Sequence, residues 1–496
     1  MAIVAVATSL SVVFATSFGG RPPVTPTASA PVPQPAPNEQ PARGSGPTVD
    51  AAAFKSAGDL AFISGDRLYA LDGAASTVRL LPALVGYAPA DPAYSSDGRW
   101  LSYLQQPLTS RYPPKSPTEL WIARANGRDA RQVRGPNVDE FGWMGWSPVG
   151  DRLAVITDVD GRPNGLRVVS PTGAGRVLFT NPSSPPNWVE DAVWSPEGTS
   201  IAVTFNEATE AVIRSYPVAG GPPTTWLSLS RATSLPGTGD EAIPDLAGWW
   251  DGWGIGFWVY SNGESHNNDS TPLEVLSSPG ARPRLIGQTL SDGMTDAIAA
   301  GRGGALAIVS GGSGGRVYGQ GKEVEVCDRT TFQCAPIAGA DVWVGTVPPL
   351  CPAGYPCEPA PSPGTQGSGV SIDPAWSPSG SLMAYVKAPV APTVGWPLLD
   401  WFDAHALYLM NVATGVSTEV GQVNGASMPT WSRTGRELLY ASKDGLWLYS
   451  VSGGSPTEIA DPLFPPIEWT GMAGSISYYG QIDWSGQFSW WSPRPG

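Results

Sequence analysis

Short runs of apolar residues recur along the chain, and each begins just after a turn rich in glycine, proline and serine. They include residues 153–155, 201–203 and 382–385. In the last repeat three runs follow one another, at residues 437–442, 446–451 and 456–460. Runs of this length, rich in β-branched and aromatic residues and separated by glycine-containing spacers, predict hairpins of short antiparallel strands.

A five-residue motif, Trp-Ser-Pro-x-Gly, precedes the clearest of these runs. Its copies occupy residues 146–150, 194–198, 376–380 and 431–435, the last with arginine in place of proline. The aromatic residue, which we call the anchor, ends one strand and buries broad apolar area. Serine and proline open a turn, and glycine takes the positive φ that a tight reversal needs. The chain then returns as the next strand.

Degenerate copies start at Phe54, Tyr94, Trp250 and Ala299, which gives eight repeats at intervals of about fifty residues. A fixed period of this size marks a repeat architecture, and four short antiparallel strands per unit, repeated radially, form a β-propeller. We therefore expect an all-β protein with eight blades, or seven if the Ala299 repeat is irregular. The aromatic tail, residues 465–491, is expected to close the ring against the first blade, because an open ring leaves exposed strand edges.

The motif and the apolar strand that follows it resemble the repeat of TolB-like β-propellers. The resemblance covers about residues 51–491, and it implies a fold rather than a particular activity. TolB carries an extra N-terminal domain ahead of a smaller propeller, whereas a proline-rich segment precedes the repeats here. The pattern is more similar to the stand-alone, secreted TolB-like proteins of bacteria.

The N-terminal segment indicates export. Residues 2–18 form one uncharged, mostly apolar run, so residues 1–20 are expected to be a signal peptide or an N-terminal membrane anchor. Residues 21–50 are rich in proline and read as an extended tether. The propeller is then a single domain over residues 51–491, either secreted or held at the outer face of the cytoplasmic membrane.

The net charge of the chain argues against two classes of partner. The formal net charge is −14, which argues against nucleic acid, whose affinity comes chiefly from lysine and arginine contacts to phosphate. It argues equally against binding to anionic lipid surfaces. We expect an envelope protein or a glycan as partner, a monomeric ring, and no cofactor.

The four cysteines fall into two local pairs, Cys327 with Cys334 and Cys351 with Cys357. The second pair lies in an insertion rich in proline, glycine and cysteine, residues 340–369. Local pairing is favoured by loop-closure entropy, so two disulfides are expected. A zinc site is the alternative, but the spacing is loose for zinc and no histidine is near, and no metal is expected.

The fifth repeat concentrates aromatic side chains around a carboxylate. The candidate ligand-binding residues are Trp249, Trp250, Asp251, Trp253 and, in a polar loop of the same repeat, His266. Tryptophan beside a carboxylate suits stacking on a sugar or an organic cation, and packing between blades is the alternative. The other histidine, His405, is expected at the surface or at a strand edge. No residue is assigned a catalytic role.

A second unusual segment lies in the seventh repeat. Its insertion, residues 388–402, contains Trp396, Trp401 and Phe402 and is too apolar for an idle loop. Such a segment either folds back as a lid over the ring or offers a docking patch to a partner.

These features lead to two functional hypotheses. The first is an exported, non-enzymatic propeller that serves as a binding platform for an envelope protein or glycan, since loops from every blade converge on one funnel. The alternative is a carbohydrate-active enzyme, a lyase or glycosidase, with acidic residues at the funnel. That alternative needs two carboxylates at catalytic separation or a bound metal.

Overall fold

The computed structural model describes fifteen segments of the chain. They are residues 46–108, 118–133, 143–158, 163–180, 188–207, 209–230, 242–261, 271–289, 297–311, 322–337, 369–389, 403–421, 423–442, 445–463 and 486–494. Within them, no helix has the length and apolar character that crossing a membrane requires.

The regular structure in these segments is almost entirely β-strand. The first twelve strands are β1 (Thr48–Val49), β2 (Asp59–Ser64), β3 (Arg67–Asp72), β4 (Thr77–Leu80), β5 (Tyr87–Tyr94), β6 (Trp100–Pro107), β7 (Glu119–Arg124), β8 (Arg131–Gln132), β9 (Met144–Trp146), β10 (Leu153–Asp158), β11 (Pro163–Val169) and β12 (Gly175–Thr180). The next twelve are β13 (Trp188–Trp194), β14 (Ser200–Asn206), β15 (Glu210–Pro217), β16 (Thr224–Ser230), β17 (Ala242–Trp250), β18 (Gly254–Ser261), β19 (Thr271–Leu276), β20 (Arg284–Thr289), β21 (Ile298–Ala300), β22 (Leu306–Gly311), β23 (Lys322–Cys327) and β24 (Cys334–Pro336). The last nine are β25 (Gly369–Trp376), β26 (Leu382–Pro389), β27 (Ala406–Asn411), β28 (Ser417–Glu419), β29 (Ser427–Trp431), β30 (Glu437–Ala441), β31 (Leu446–Ser450), β32 (Thr457–Asp461) and β33 (Phe488–Trp491). One turn of 3-10 helix, Arg302–Gly304, separates β21 from β22.

The strands form an eight-bladed propeller of four-stranded antiparallel sheets, as the repeats predicted. Blades 2 to 8 each take four consecutive strands, beginning with β5, β9, β13, β17, β21, β25 and β29. Blade 1 takes β33, β2, β3 and β4, so both ends of the described chain build it and the tail closes the ring as expected. The short strand β1 adds a fifth strand to the outer edge of blade 8, where Thr48 faces Asp461.

Four anchor tryptophans tie their blade to the one before it. Their indole Nε1–H groups donate to backbone carbonyls of the preceding blade, with Trp146 bonded to Ala93 (2.9 Å), Trp194 to Gly145 (2.8 Å), Trp376 to Ala299 (3.2 Å) and Trp431 to Ala375 (2.9 Å). In the first, second and fourth pairs the acceptor is the residue just before the neighbouring anchor. The repeated aromatic therefore both fills the blade interface and satisfies a strand-end carbonyl.

The serine of the motif explains the turn that follows each anchor. In three repeats its hydroxyl accepts the backbone N–H of the residue that opens the next strand, from Ser200 to Ser195 (3.1 Å), from Leu382 to Ser377 (3.0 Å) and from Glu437 to Ser432 (3.0 Å). The glycines at the end of the turn have positive φ, for example 66° at Gly198. Both features agree with the roles that the sequence assigned to serine and glycine.

The hydrophobic core is divided among the blade interfaces. Trp194 packs with Ile156 and Phe205 between blades 3 and 4, and Trp226 packs with Phe257 between blades 4 and 5. Similar clusters of buried residues lie at the other interfaces. Because each cluster needs side chains from two blades, a single blade cannot bury its own apolar faces.

The prediction that Phe54 is the anchor of the first blade is wrong. Phe54 is fully buried, but it lies in a turn before β2 and contacts Trp490 with ring centroids 6.4 Å apart. The anchor position of blade 1 belongs to Trp491, which faces Asp59 at the start of β2, as Trp194 faces Ile201 in blade 4. The inner strand of blade 1 comes from the far end of the chain, so no anchor is needed at residue 54.

Arg433 joins the turns on either side of blade 1. Its backbone N–H donates to Ser492 Oγ (2.6 Å), and its Nη1 donates to the Ser96 carbonyl of the blade 2 turn (2.6 Å). The guanidinium carbon lies 5.5 Å from the ring centroid of Trp491. Proline at this position would lack the N–H that Ser492 accepts, which explains why the blade 8 motif departs from the other clear copies.

Candidate functional site

Two consecutive turns of different length create a cleft between blades 4 and 5. In blade 4, Trp194 faces Ile201 across the hairpin, with six residues between them. In blade 5, Trp250 faces Gly254 with three residues between them, and the Trp253 N–H donates to the Trp250 carbonyl (3.1 Å) to close the tight turn. The short turn leaves space beside the longer one.

That space, which we call the tryptophan cleft, has a volume of about 240 Å³. It is lined by Pro196 and Glu197 of the blade 4 turn, Trp226 of β16, Trp249, Trp250, Asp251, Gly252, Trp253 and Gly254 of blade 5, and Ser277 after β19. Three of its tryptophans are buried, whereas Trp249 is half-buried. The rings of Trp226 and Trp249 meet edge to face, with centroids 5.1 Å apart.

Internal hydrogen bonds fix the indoles of the cleft. Trp226 Nε1 donates to Ser215 Oγ (3.0 Å), and Trp253 Nε1 donates to the Gly304 carbonyl of blade 6 (2.8 Å). These two rings are themselves buried and keep their polar edges inside the protein, so the indole surface open to the cleft is chiefly that of half-buried Trp249. A rigid aromatic surface of this kind is suited to stacking rather than to hydrogen bonding.

The wall behind Trp253 is braced by the hairpin of β23 and β24. Phe332, in the turn of that hairpin, meets Trp253 edge to face with centroids 5.4 Å apart. The guanidinium carbon of Arg284, which lies on β20 of blade 5, is 3.6 Å from the Phe332 ring centroid. A disulfide between Cys327 and Cys334 holds the hairpin, which confirms the first predicted pair. The second predicted pair, Cys351 and Cys357, lies outside the described residues.

The polar side chains of the cleft are hydrogen-bond acceptors or neutral. Glu197 and Asp251 are exposed at its rim, and Ser277 is the other polar side chain among the described lining residues. Arg329 is the nearby cation, and its Nη1 lies over Gly252, where a Cβ would come within 2.0 Å of it. Gly252 thus allows Arg329 to pack against the back of the turn.

The structure brings four of the predicted ligand-binding residues to one place, since Trp249, Trp250, Asp251 and Trp253 all line the cleft. The fifth, His266, lies outside the described residues. Sequence reasoning missed four lining residues that come from other turns and strands: Pro196, Glu197, Trp226 and Ser277. The repeat spacing carried a signal for Glu197, because it places the turns of blades 4 and 5 side by side.

The predictions for the apolar insertion and for His405 have different outcomes. Trp396, Trp401 and Phe402, predicted to form a lid or a docking patch, lie outside the described residues. His405 is buried, with 1% of its surface exposed, so the expected surface position is wrong. The connection from blade 7 to blade 8 passes next to His405, since the His405 carbonyl accepts the N–H of Gly425 (3.1 Å).

The inner strands carry acidic residues with a structural task. Asp91 of β5 and Asp373 of β25 each lie three residues before an anchor and have φ of 50° and 52°. Asp373 Oδ2 accepts the N–H of Met428 (3.0 Å), the residue at the same position of blade 8. The strand pairing shifts register at both aspartates, and at Asp373 the side chain links two neighbouring blades. In the described part of the chain, no group of three His, Cys, Asp or Glu side chains could hold a metal ion.

Two carboxyl groups away from the cleft have altered acidity. Burial, together with repulsion from Asp72 across the hairpin, raises the pKa of Asp59 to about 6. Burial, with a smaller contribution from Glu325, raises the pKa of Glu323 to about 7. The Oε1 atom of Glu323 is buried without a hydrogen-bond partner. Both groups are therefore easier to protonate in the folded protein than in the unfolded chain.

Comparison with known proteins gives likenesses only among solved structures, since no protein-family model and no curated protein matches the chain. An oligogalacturonate lyase from Vibrio parahaemolyticus is 12% identical with a TM-score of 0.43, over 82% of this chain and 96% of that one. A putative TolB from Agrobacterium tumefaciens is 14% identical with a TM-score of 0.30, over 61% and 91%. The likeness is one of fold.

Proposed function

We propose that this chain is an extracytoplasmic, non-enzymatic β-propeller that binds a glycan of the cell envelope in the tryptophan cleft. The observation that carries the proposal is the convergence of four tryptophans and two exposed carboxylates in one concave site between blades 4 and 5. Packing alone does not require the half-buried ring of Trp249 to border an open cleft.

The chemistry of the cleft suits a sugar ring. The apolar C–H face of a pyranose stacks on indole carbon, which the half-buried ring of Trp249 supplies, backed by the buried rings of Trp226 and Trp253. Sugar hydroxyls donate hydrogen bonds, and the Glu197 and Asp251 carboxylates accept them. The volume of about 240 Å³ is below the range of about 300–1,000 Å³ for drug-sized ligands. The site therefore fits one ring of a longer glycan.

The proposed location rests on the cysteines and the N-terminal segment. The Cys327–Cys334 disulfide is typical of proteins exposed to an oxidising compartment. The apolar run at residues 2–18 and the proline-rich segment after it fit export, by a signal peptide or by an anchor. An envelope glycan is then within reach of the propeller.

The two carboxylates of the cleft support a second candidate, a glycoside hydrolase. Such enzymes place two carboxyl groups on either side of the scissile bond, about 5–5.5 Å or 6.5–9.5 Å apart. If Glu197 and Asp251 serve this purpose, the protein converts a bound oligosaccharide to shorter products. In that case Glu197→Gln abolishes product formation but retains binding.

The proposal is tested by a glycan array followed by calorimetric titration of the best ligand. Trp249→Ala is expected to weaken binding at least about thirtyfold, since a tryptophan hot spot contributes about 2 kcal/mol or more. Trp447→Ala is the matched control, because Trp447 is also half-buried but lies on β31 of blade 8, in another blade. Equal affinity of Trp249→Ala and the wild type, or no glycan bound by the wild type, contradicts the proposal. Chromatography of the incubated ligand detects turnover and separates binding from hydrolysis.

A further inference from the structure

The charge of the tryptophan cleft points to a narrower class of ligand. Of the described side chains that line it, Glu197 and Asp251 are the ionisable ones, and both are acids. No ion pair joins either of them to a basic group in the described structure. Their charges are available to a ligand, whereas a neutral sugar leaves them without a counter-charge.

The aromatic surface of the cleft also carries negative potential, as the two carboxylates do. The face of an indole ring carries negative potential and attracts cations within about 6 Å of its centroid. Because Nε1 of Trp226 and of Trp253 is bonded inside the protein, neither indole N–H is available to an anionic ligand. A carboxylated sugar would meet two acids and aromatic faces, and both interactions are repulsive.

The nearest described cation, Arg329, is outnumbered by the two acids of the cleft. The Arg329 guanidinium packs against Gly252 and Gly304, and it is not among the residues that line the cleft. Arg329 belongs to the wall that also contains Phe332 and the disulfide. The cleft itself remains acidic.

We propose that the tryptophan cleft selects a sugar that carries a free, protonated amino group, such as a glucosamine unit of a glycan. The inference rests on the proposed glycan-binding function and specifies its ligand. The ammonium group lies between the Glu197 and Asp251 carboxylates, which accept its N–H bonds. The C–H face of the same ring stacks on Trp249. Removing the charge by N-acetylation, or reversing it in a uronic acid, weakens the complex.

Three trisaccharides of the same length test the inference by calorimetric titration of the full chain at about pH 6, where the amine is protonated. They are triglucosamine, its fully N-acetylated form and trigalacturonate. Triglucosamine is expected to bind at least about tenfold more tightly than the acetylated form, and trigalacturonate is expected not to bind. The preference should shrink between 20 mM and 500 mM salt, because exposed charges are screened over about 4 Å at the higher salt.

Charge-neutral variants decide whether the two acids cause the preference. Glu197→Gln combined with Asp251→Asn should bind both glucosamine forms with similar affinity, whereas Arg329→Ala should keep the preference. Equal binding of the two forms by the wild type overturns the inference and leaves the proposed function intact. If none of the three trisaccharides binds and no other glycan binds on the array, both the inference and the proposed function are overturned. Choline binding as tightly as triglucosamine also overturns it, since the cleft would then recognise ammonium without sugar.

Discussion

Replacement of Arg433 by proline restores the motif of the other clear repeats and should nevertheless weaken the ring. The change removes the N–H bond to Ser492 and the Nη1 bond to the Ser96 carbonyl, both 2.6 Å long. It also removes the stacking of the guanidinium on Trp491. A neutral hydrogen bond contributes about 1 kcal/mol and one from a charged group about 1.5–3 kcal/mol, and an exposed cation–π contact adds about 0.5–1 kcal/mol. The expected loss in the free energy of unfolding is about 3–5 kcal/mol.

Urea unfolding measures this loss, and two further variants apportion it. Arg433→Ala keeps the backbone N–H and should cost about 1 kcal/mol less than Arg433→Pro. Pro378→Ala changes the corresponding turn position of blade 7, which does not border the closing blade, and should cost little. Amide exchange in residues 486–494 should accelerate in Arg433→Pro but not in Pro378→Ala. A loss below about 0.5 kcal/mol, which is the usual range for surface substitutions, would refute this account of closure.

Three further variants test the core and the buried acids. Trp194→Ala should lower the free energy of unfolding by about 3–5 kcal/mol, because Trp194 is 9% exposed and bonds to the Gly145 carbonyl; an unchanged urea midpoint would show that the anchors are not core residues. Folding raises the pKa of Asp59 to about 6, so the folded protein favours the neutral carboxyl group. The stability that this preference contributes is fully present below about pH 4 and is lost as the pH rises through 6. Asp59→Asn should therefore raise the melting temperature at pH 8 relative to wild type and much less at pH 4, and equal shifts at both pH values would contradict this. Glu323→Gln should behave alike with its change centred near pH 7, the raised pKa of Glu323 being about 7; thermal melts between pH 5 and pH 9 locate the change.

The fold could be predicted from the sequence because the turn after each anchor is local. Serine, proline and glycine at fixed offsets specify a hairpin without help from distant residues, so the eight repeats translate into eight blades. The first anchor was misplaced for the opposite reason. Trp491 pairs with Asp59 across nearly the whole chain, and the period of the repeats does not reveal which end of the chain supplies the inner strand of blade 1.

The site was harder to predict than the fold. The cluster at residues 249–253 was visible in the sequence, but its partners Trp226 and Glu197 belong to blade 4 and meet it only through the ring geometry. The cleft also depends on a turn that is three residues shorter than its neighbour, a difference that appears only when strand pairing is known. His405 shows the same limit, since it is buried and its backbone is bonded to a connection that lies some twenty residues later.

Strand β33 has a consequence for how the protein is made. Trp490 donates its indole N–H to the carbonyl of Ala57, 433 residues away in sequence (3.0 Å), so blade 1 cannot be completed before β33 has been synthesised. Contacts of such separation are slow to form, and until they form, β2 and the blade 8 interface expose apolar surface to other chains. Biogenesis therefore has a vulnerable interval that ends only when β33 has joined blade 1. A chain that stops before residue 488 would have seven complete blades and an unfinished one.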